Sequence, residues 1–508
     1  MTAAATHPPS PTLLGKAGPL VLARLFTAGL TVCIPFVLAR AMTLAEFGTY
    51  KQLFLIAMTL YLLMPFGVVQ SLYYFMPRAD SKRPFVGQTL VYTLLAGAVA
   101  GLLLIGLTGV IGHTFKNPDM VHYRWAVGAY TAFLIASSPL EISLTSQGKT
   151  HWSAFCYLGS DIIRAGAMTL PVLLGYGLQG CMWSIAALMA VRTVVTWVLL
   201  LKTTQGPLFE KKLFFAQVAY AAPFGAAMLL SVPQQYLHQY AVSVLVAPAL
   251  YAIYTIGCFQ LPVVDLLYTP TSEVLMVQLG ELDKAGRMEE GVHAFREATA
   301  RLAFFFLPLS AFLFAVAPEF IVALFGAKFA SAVPLFRISV IGVALTIFPM
   351  DGVLRARHQT RHIFIAYLVK ALVTVPLVYF GATRFGMIGA ISSYAITEVI
   401  GKAMLMVRVP EALSTPQHPL SFKDVIPALE IGRSLAAAAV GCMGVLLLRM
   451  VGSGLTTRLP HGFVFRIIPL GVAGVVFVIG YLGVLHAAGV RPFQFLLRPG
   501  GRAVLTGS

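Results

Sequence analysis

The stretch LAEFGTYKQLF, Leu44 to Phe54, returns about 200 residues later as PALYAIYTIGC, Pro248 to Cys258. Phe47 answers to Tyr251, and Tyr50 to Tyr254. Each copy sits between long apolar runs and is read as the turn joining two helices, its aromatic pair anchoring at a membrane interface. Three more correspondences follow in the same order. IGHTFKNPDM (Ile111–Met120) aligns with FGAKFASAVP (Phe325–Pro334) through Gly112/Gly326 and Phe115/Phe329. SPLEISLTSQGKT (Ser138–Thr150) aligns with FPMDGVLRARHQT (Phe348–Thr360) through Pro139/Pro349, Glu141/Asp351 and Thr150/Thr360. GLQG (Gly177–Gly180) aligns with GMIG (Gly386–Gly389).

Correspondences in one order and at nearly constant spacing imply an internal duplication. The expected organisation is a cytoplasmic tail (1–17), a six-helix half (18–201), a cytoplasmic linker (202–212), a second six-helix half (213–408), a cytoplasmic loop (409–428), two further helices (429–488) and a cytoplasmic tail (489–508). An even number of helices per half gives both halves the same orientation. That is a parallel-repeat transporter architecture, with the substrate site expected between the halves.

Composition points the same way. Of 508 residues, 58% are hydrophobic and 11% charged, and mean hydropathy is +0.83. Solid apolar runs predict an all-α polytopic membrane protein of about fourteen helices rather than a β-barrel. The spans are placed near 18–40, 47–75, 85–111, 122–146, 151–175, 178–201, 213–245, 249–279, 298–325, 331–354, 362–383, 387–408, 429–451 and 463–488. Loops bearing Arg78, Lys82, Arg83, Lys211, Lys212, Arg355, Arg357 and Arg361 alternate with loops poorer in Lys and Arg. The positive-inside rule then puts both termini in the cytoplasm and accounts for the net charge of +17 without a nucleic acid.

No cofactor or metal is expected. The cysteines Cys33, Cys156, Cys181, Cys258 and Cys442 are scattered, with no C-x-x-C pair, and read as packing residues. QGKT at Gln147–Thr150 imitates the end of a phosphate-binding loop, but Ser143 stands where that loop needs glycine. H-E-x-x-H and G-x-S-x-G are absent from the sequence. Prolines interrupt many spans, which suits bent helices.

LARAMTLAEFGTYKQLFLI (Leu38–Ile56) resembles the polysaccharide flippases of the multidrug/oligosaccharidyl-lipid/polysaccharide (MOP) exporter superfamily. So do Ala247–Leu282, APEFIVALFGAKFASAVPLFRI (Ala317–Ile338) and Arg357–Ile400. The resemblance covers about residues 18–408. It implies a two-lobed helical transporter in the bacterial inner membrane. The cargo it implies is an undecaprenyl-pyrophosphate-linked oligosaccharide, for O-antigen, capsule or exopolysaccharide. Partners would be membrane lipid and the polymerase and glycosyltransferases of the same pathway, with H+ or Na+ coupling. The alternatives are a drug or organic-cation exporter of the same superfamily, which would want an acidic cavity, and a membrane polymerase or acyltransferase. An enzyme is not expected.

Ionisable residues at membrane depth are costly and mark candidate sites. The expected cationic, substrate-binding cavity comprises Arg24, Lys51, Arg164, Arg192, His238, Arg337, Lys370 and Lys402. Arginine forks and lysine point charges suit a pyrophosphate. Ion coupling or gating falls to Glu141, Asp161, Asp265, Asp351 and Glu398. The competing reading is internal pairing. Asp161/Arg164 stand at i,i+3 and Glu398/Lys402 at i,i+4, while Lys51 and Arg337 could snorkel to the interface. Glu141 and Asp351, matched in the repeat, are either gates or helix-end carboxylates balancing the basic loops that follow.

Overall fold

The computed structural model describes residues 26, 29–30, 32–416, 418–456 and 463–490. Every regular element among them is helical. Contacts divide the chain into two compact units, Met1–Ala252 and Ile253–Ser508.

The first unit holds α1 (Val32–Ala41), α2 (Leu44–Leu63), α3 (Val68–Phe75), α4 (Arg83–Thr114), α5 (Arg124–Ala136), α6 (Pro139–Ser146), α7 (Thr150–Leu173), α8 (Gly177–Lys202) and α9 (Lys211–Leu245). Helix α10 (Pro248–Gly257) straddles the division. The second unit continues with α11 (Pro262–Lys284), α12 (Glu289–Ala315), α13 (Ala317–Phe325), α14 (Val333–Ala344), α15 (Met350–Ala356), α16 (Thr360–Leu413), α17 (Phe422–Val425), α18 (Ala428–Thr456) and α19 (Phe463–Ala487).

Each of the fourteen expected spans lands on helix. Among the described residues, ten helices, some interrupted, are long and apolar enough to cross a membrane, or eleven if the α10–α11 pair, bent by 44°, is one span. The difference has physical causes. Only part of the first span is described. Helix α7 carries Asp161 and Arg164. Helix α16 contains two expected spans at once. Its residues Lys370 and Glu398 form an ion pair, yet 28 residues of straight helix would hold them about 42 Å apart. The chain therefore folds back at Gly386, whose φ of 60° and ψ of −141° are open only to glycine.

The repeat is legible in the backbone, with two revisions. First, LAEFGTYKQLF is not a turn but the opening of α2. The turn is shorter, and Thr43 closes it: its side chain accepts from Glu46 N at 3.2 Å, while Glu46 Oε2 accepts from Thr43 N at 2.9 Å. Phe47, Tyr50, Tyr251 and Tyr254 are buried rather than interfacial. Second, the register Gly112/Gly326 gives way to Lys116/Gly326. Both of these residues have positive φ, 51° and 103°. Each precedes a 3-10 turn, Pro118–Tyr123 or Ala327–Ala332. Further along, Gly148 and His358 share positive φ (78° and 55°), as do Gly177 and Gly386 (58° and 60°).

Several prolines sit at true breaks. Pro65 precedes the positive-φ pair Phe66–Gly67, Pro139 opens α6, Pro262 opens α11 and Pro349 caps α15. Pro171, Pro223, Pro233, Pro270, Pro308 and Pro376 stay inside helices.

Polarity is inverted relative to a water-soluble bundle. Gln52, Gln88, Thr89, Thr93 and Gln217 are buried, whereas Leu95, Leu102 and Val110 of α4 face outward. Lipid rewards that arrangement, because a polar group in hydrocarbon needs a partner inside the protein. Two such networks tie α9 into the first unit. Gln217 Nε2 donates to Ser71 Oγ and Thr89 Oγ1, both at 2.8 Å, and Gln88 Nε2 donates to Gln217 Oε1 at 2.7 Å. At the other end of α9, Gln52 Nε2 donates to Ser243 Oγ at 3.0 Å. Asn117 Nδ2 donates to Gln52 Oε1 at 2.6 Å.

In the second unit α18 and α19 pack on α12 and α13. Tyr481 OH donates to Phe304 O at 2.9 Å, and Arg449 pairs with Glu319. A core of Phe304, Val316, Ala437, Phe477 and Leu485 fills the contact.

Candidate functional site

Each unit carries a polar cluster inside its helices, built on a repeat-matched carboxylate. In the first unit α5 stops at Ser137 and Pro139 restarts the chain as α6, which puts Glu141 in the opening turn. Its Oε1 takes a 2.5 Å ion pair from Arg192 NH2 on α8, with both side chains mostly buried. On α7, Asp161 and Arg164 pair at 2.8 Å. Tyr61 and Tyr130 lie within electrostatic reach of these charges, and Tyr157 lies beside Tyr61. The Nε of Arg192 is buried with no hydrogen-bond partner, so the guanidinium keeps unused donor capacity.

In the second unit α14 ends in a 3-10 turn, Leu345–Ile347, and Pro349 precedes α15. Asp351 occupies the opening turn, as Glu141 does. Its Oδ1 accepts from Tyr268 OH at 2.6 Å and from Ser272 Oγ at 3.1 Å, and Arg355 approaches Oδ2 at 3.4 Å. Tyr367, the repeat counterpart of Tyr157, feels both Asp351 and Glu398. On the folded-back arms of α16, Lys370 pairs with Glu398. Lys402 Nζ donates to Leu345 O at 3.1 Å and Thr346 Oγ1 at 2.9 Å.

The expected site residues are thus distributed as follows. Arg164, Arg192, Asp161 and Glu141 come together in the first unit. Lys370, Glu398, Lys402 and Asp351 line one region of the second. The Asp161/Arg164 pair forms as the spacing predicts. The Glu398/Lys402 pair does not: the fold-back at Gly386 gives Glu398 to Lys370, and Lys402 turns to the α14 break. Arg192 and Lys370, which lack partners on their own helices, find them on another helix or on the other arm of the fold-back.

Arg337 stands outside these clusters. It donates to Phe314 O at 3.2 Å and lies 5.2 Å from that ring. Lys51 sits on α2, its Nζ 5.4 Å and 5.5 Å from the Phe47 and Tyr50 rings. His238 is buried in α9, and Asp265 is exposed in the first turn of α11. Arg24 lies outside the described residues. Sequence reasoning missed Tyr268, Ser272 and the tyrosine pair Tyr157/Tyr367. The last was recoverable, because both stand at the same place in the repeat. Among the described residues no group of three or more His, Cys, Asp or Glu could hold a metal.

The family described as "Polysaccharide biosynthesis protein" matches residues 37–334, more than half of the chain. The chain belongs to this family. No curated protein matches it. Among solved structures it is similar to the lipid II flippase MurJ in an inward closed conformation (TM-score 0.70, 14% identity, 93% of this chain and 99% of that one). It is also similar to an inward-facing multidrug resistance MATE transporter of the MOP superfamily (TM-score 0.58, 13% identity, 78% and 99%). A third is a MOP superfamily transporter from Pyrococcus furiosus, whose binding pocket is described as reversed in polarity (TM-score 0.52, 12% identity, 78% and 95%). The fold is that of MOP superfamily transporters, in a multi-pass membrane protein. The polysaccharide-biosynthesis family and the all-α polytopic fold are as the sequence implied.

Proposed function

We propose that this protein is a flippase for an undecaprenyl-pyrophosphate-linked oligosaccharide, moving it across the bacterial inner membrane by alternating access for O-antigen, capsule or exopolysaccharide synthesis. The observation that carries the reading is the family match on a chain whose membrane helices hold arginine–carboxylate clusters. A lipid-linked cargo is further supported by likeness to a lipid II flippase. Both termini would be cytoplasmic, following the loop charges.

The cations act by exchange. Arg164, Arg192 and Lys370 are held by Asp161, Glu141 and Glu398 when no substrate is present. A pyrophosphate offers more oxygens and more charge than one carboxylate, so it can draw an arginine fork away. The released carboxylate then takes a proton or a coupling cation. The tyrosines beside the clusters suit sugar hydroxyls.

An organic-cation exporter of the same fold is the second reading. It is disfavoured because Glu141, Asp161, Asp351 and Glu398 each already have a basic side chain beside them. The test uses the full chain in liposomes with a fluorescent undecaprenyl-pyrophosphate oligosaccharide and an impermeant quencher. We expect transfer between leaflets, abolished when Arg192 and Glu141 are both changed to Gln, with folding retained. Unchanged lipid transfer in that variant, or extrusion of a cationic dye without lipid movement, overturns the reading.

A further inference from the structure

The α14 break presents oxygens that its own backbone does not satisfy. The helix ends at Ala344, Phe348 is extended (φ −102°, ψ 111°) and Pro349 has no N–H. The last carbonyls of α14 therefore lack helical donors and carry the negative end of the helix dipole. Leu345 O lies in the 3-10 turn that follows, where the residue four positions on is Pro349, which has no N–H to give it. Beside it, Thr346 Oγ1 donates to Gly342 O at 3.0 Å, which turns a lone pair of the hydroxyl outward. The Glu398 carboxylate adds negative charge nearby. A carbonyl, a hydroxyl lone pair and a neighbouring carboxylate at a broken membrane helix make an oxygen set of the kind that receives a hard monovalent cation.

The ammonium of Lys402 is seated there, 3.1 Å from Leu345 O and 2.9 Å from Thr346 Oγ1. It reaches the break from the second arm of α16. Meanwhile Lys370 engages Glu398, so that carboxylate is not left uncompensated. We propose that Lys402 is the resident cation of a helix-break site, a tethered ammonium standing where a monovalent metal ion would otherwise sit. The second unit then keeps its broken helix without Na+ or K+, and the site turns into a metal-ion site when the ammonium is removed. This assigns Lys402 a role other than holding substrate.

The experiment is thermal unfolding of the full-length protein in detergent, in NaCl, KCl or choline chloride at equal ionic strength. For the native protein we expect the same midpoint in all three. Lys402→Ala should melt lower in choline chloride and recover by a few degrees in Na+ or K+, saturably with salt. Adding Thr346→Val should abolish that recovery. A native protein stabilised by Na+ over choline overturns the proposal, as does a Lys402→Ala midpoint unchanged in choline. A lowered midpoint with no cation-specific recovery means that Lys402 is only a hydrogen-bond donor, and also overturns it. If Lys402→Ala fails to fold, Lys402→Gln keeps a donor without the charge. It must show the same cation-specific rise, and its absence counts against the proposal equally.

Discussion

Glu141 and Asp351 occupy the same place in two copies of one helical plan, yet they are held by different chemistry. In the first unit the carboxylate faces the Arg192 guanidinium on another helix, and charge balances charge. In the second, two hydroxyls, Tyr268 and Ser272, do most of the holding, and Arg355 is a more distant, mostly exposed neighbour. A buried ion pair fails badly when one member is removed, because the other is left charged and dry. A carboxylate held by hydroxyls survives loss of its charge, because an amide oxygen accepts the same hydrogen bonds. Duplication thus preserved the position and left each copy free to change what holds it.

The largest expected effect tests that contrast directly. Arg192→Met should cost about 3–5 kcal/mol, the usual result of stranding one partner of a buried pair. Changing both members to apolar residues of similar size should restore most of it. Asp351→Asn should cost about 1 kcal/mol or less, because only a loose ion pair with a mostly exposed arginine is lost. Chemical or thermal unfolding of the purified variants measures both. Equal losses for Arg192→Met and Asp351→Asn would erase the distinction between the units.

How much of this was legible in the sequence can be judged residue by residue. The helices were, because runs of apolar residues near bilayer length leave the backbone no other choice. The repeat was too, though not its register around Gly326. Glycine marks positive φ only where it is present, and Lys116 adopts that conformation without it. Which cation meets which carboxylate was legible only within one turn of helix, as for Asp161 and Arg164. Partners such as Lys370 and Glu398 depend on where a helix folds back, and apolar composition says nothing of that. The aromatic anchors were misread for a related reason. Phe47 and Tyr251 sit in the first turns of α2 and α10, and depth within a bundle is not encoded by nearness to a turn.

The second comparison concerns two glycines at matching places in the repeat, one opening α8 and one at the fold-back of α16. Gly177 and Gly386 share φ near 60°. At Gly386 an added methyl would meet nothing within 4 Å, whereas at Gly177 it would touch Glu46 Oε1 at 3.4 Å, an ordinary contact. Neither site has a steric reason to refuse alanine, so any loss measures backbone strain alone. Gly386→Ala should cost about 1–3 kcal/mol, and Gly177→Ala an amount in the same range. A loss confined to one of them would mean that the shared φ does not reflect a shared turn. The measurement is the unfolding midpoint, with protease sensitivity around Gly386 reporting whether the arms of α16 still close.

The smallest effects separate two capping boxes that look alike on paper. Thr43 and Glu46 close the start of α2, and Ser421 and Asp424 close α17. Helix α2 has 20 residues and a buried face, whereas α17 has four. Thr43→Ala should therefore lower global stability by about 1 kcal/mol. Ser421→Ala should change only amide exchange within residues 421–425. The second box also carries a pH signature. Hydrogen bonds from the Ser421 side chain and backbone hold the Asp424 carboxyl below its ordinary 3.8. A carboxyl depressed in the folded state contributes fully above its unfolded pKa, and its contribution fades as pH falls through the folded one. Protection of the 421–425 amides should thus be flat from neutral pH down to about 4 and decline below it. In Ser421→Ala the decline should be smaller and end at higher pH, because one of the two donors that depress the carboxyl is gone. A protection profile identical in both proteins would show that the cap is set by the backbone of the loop and not by Ser421.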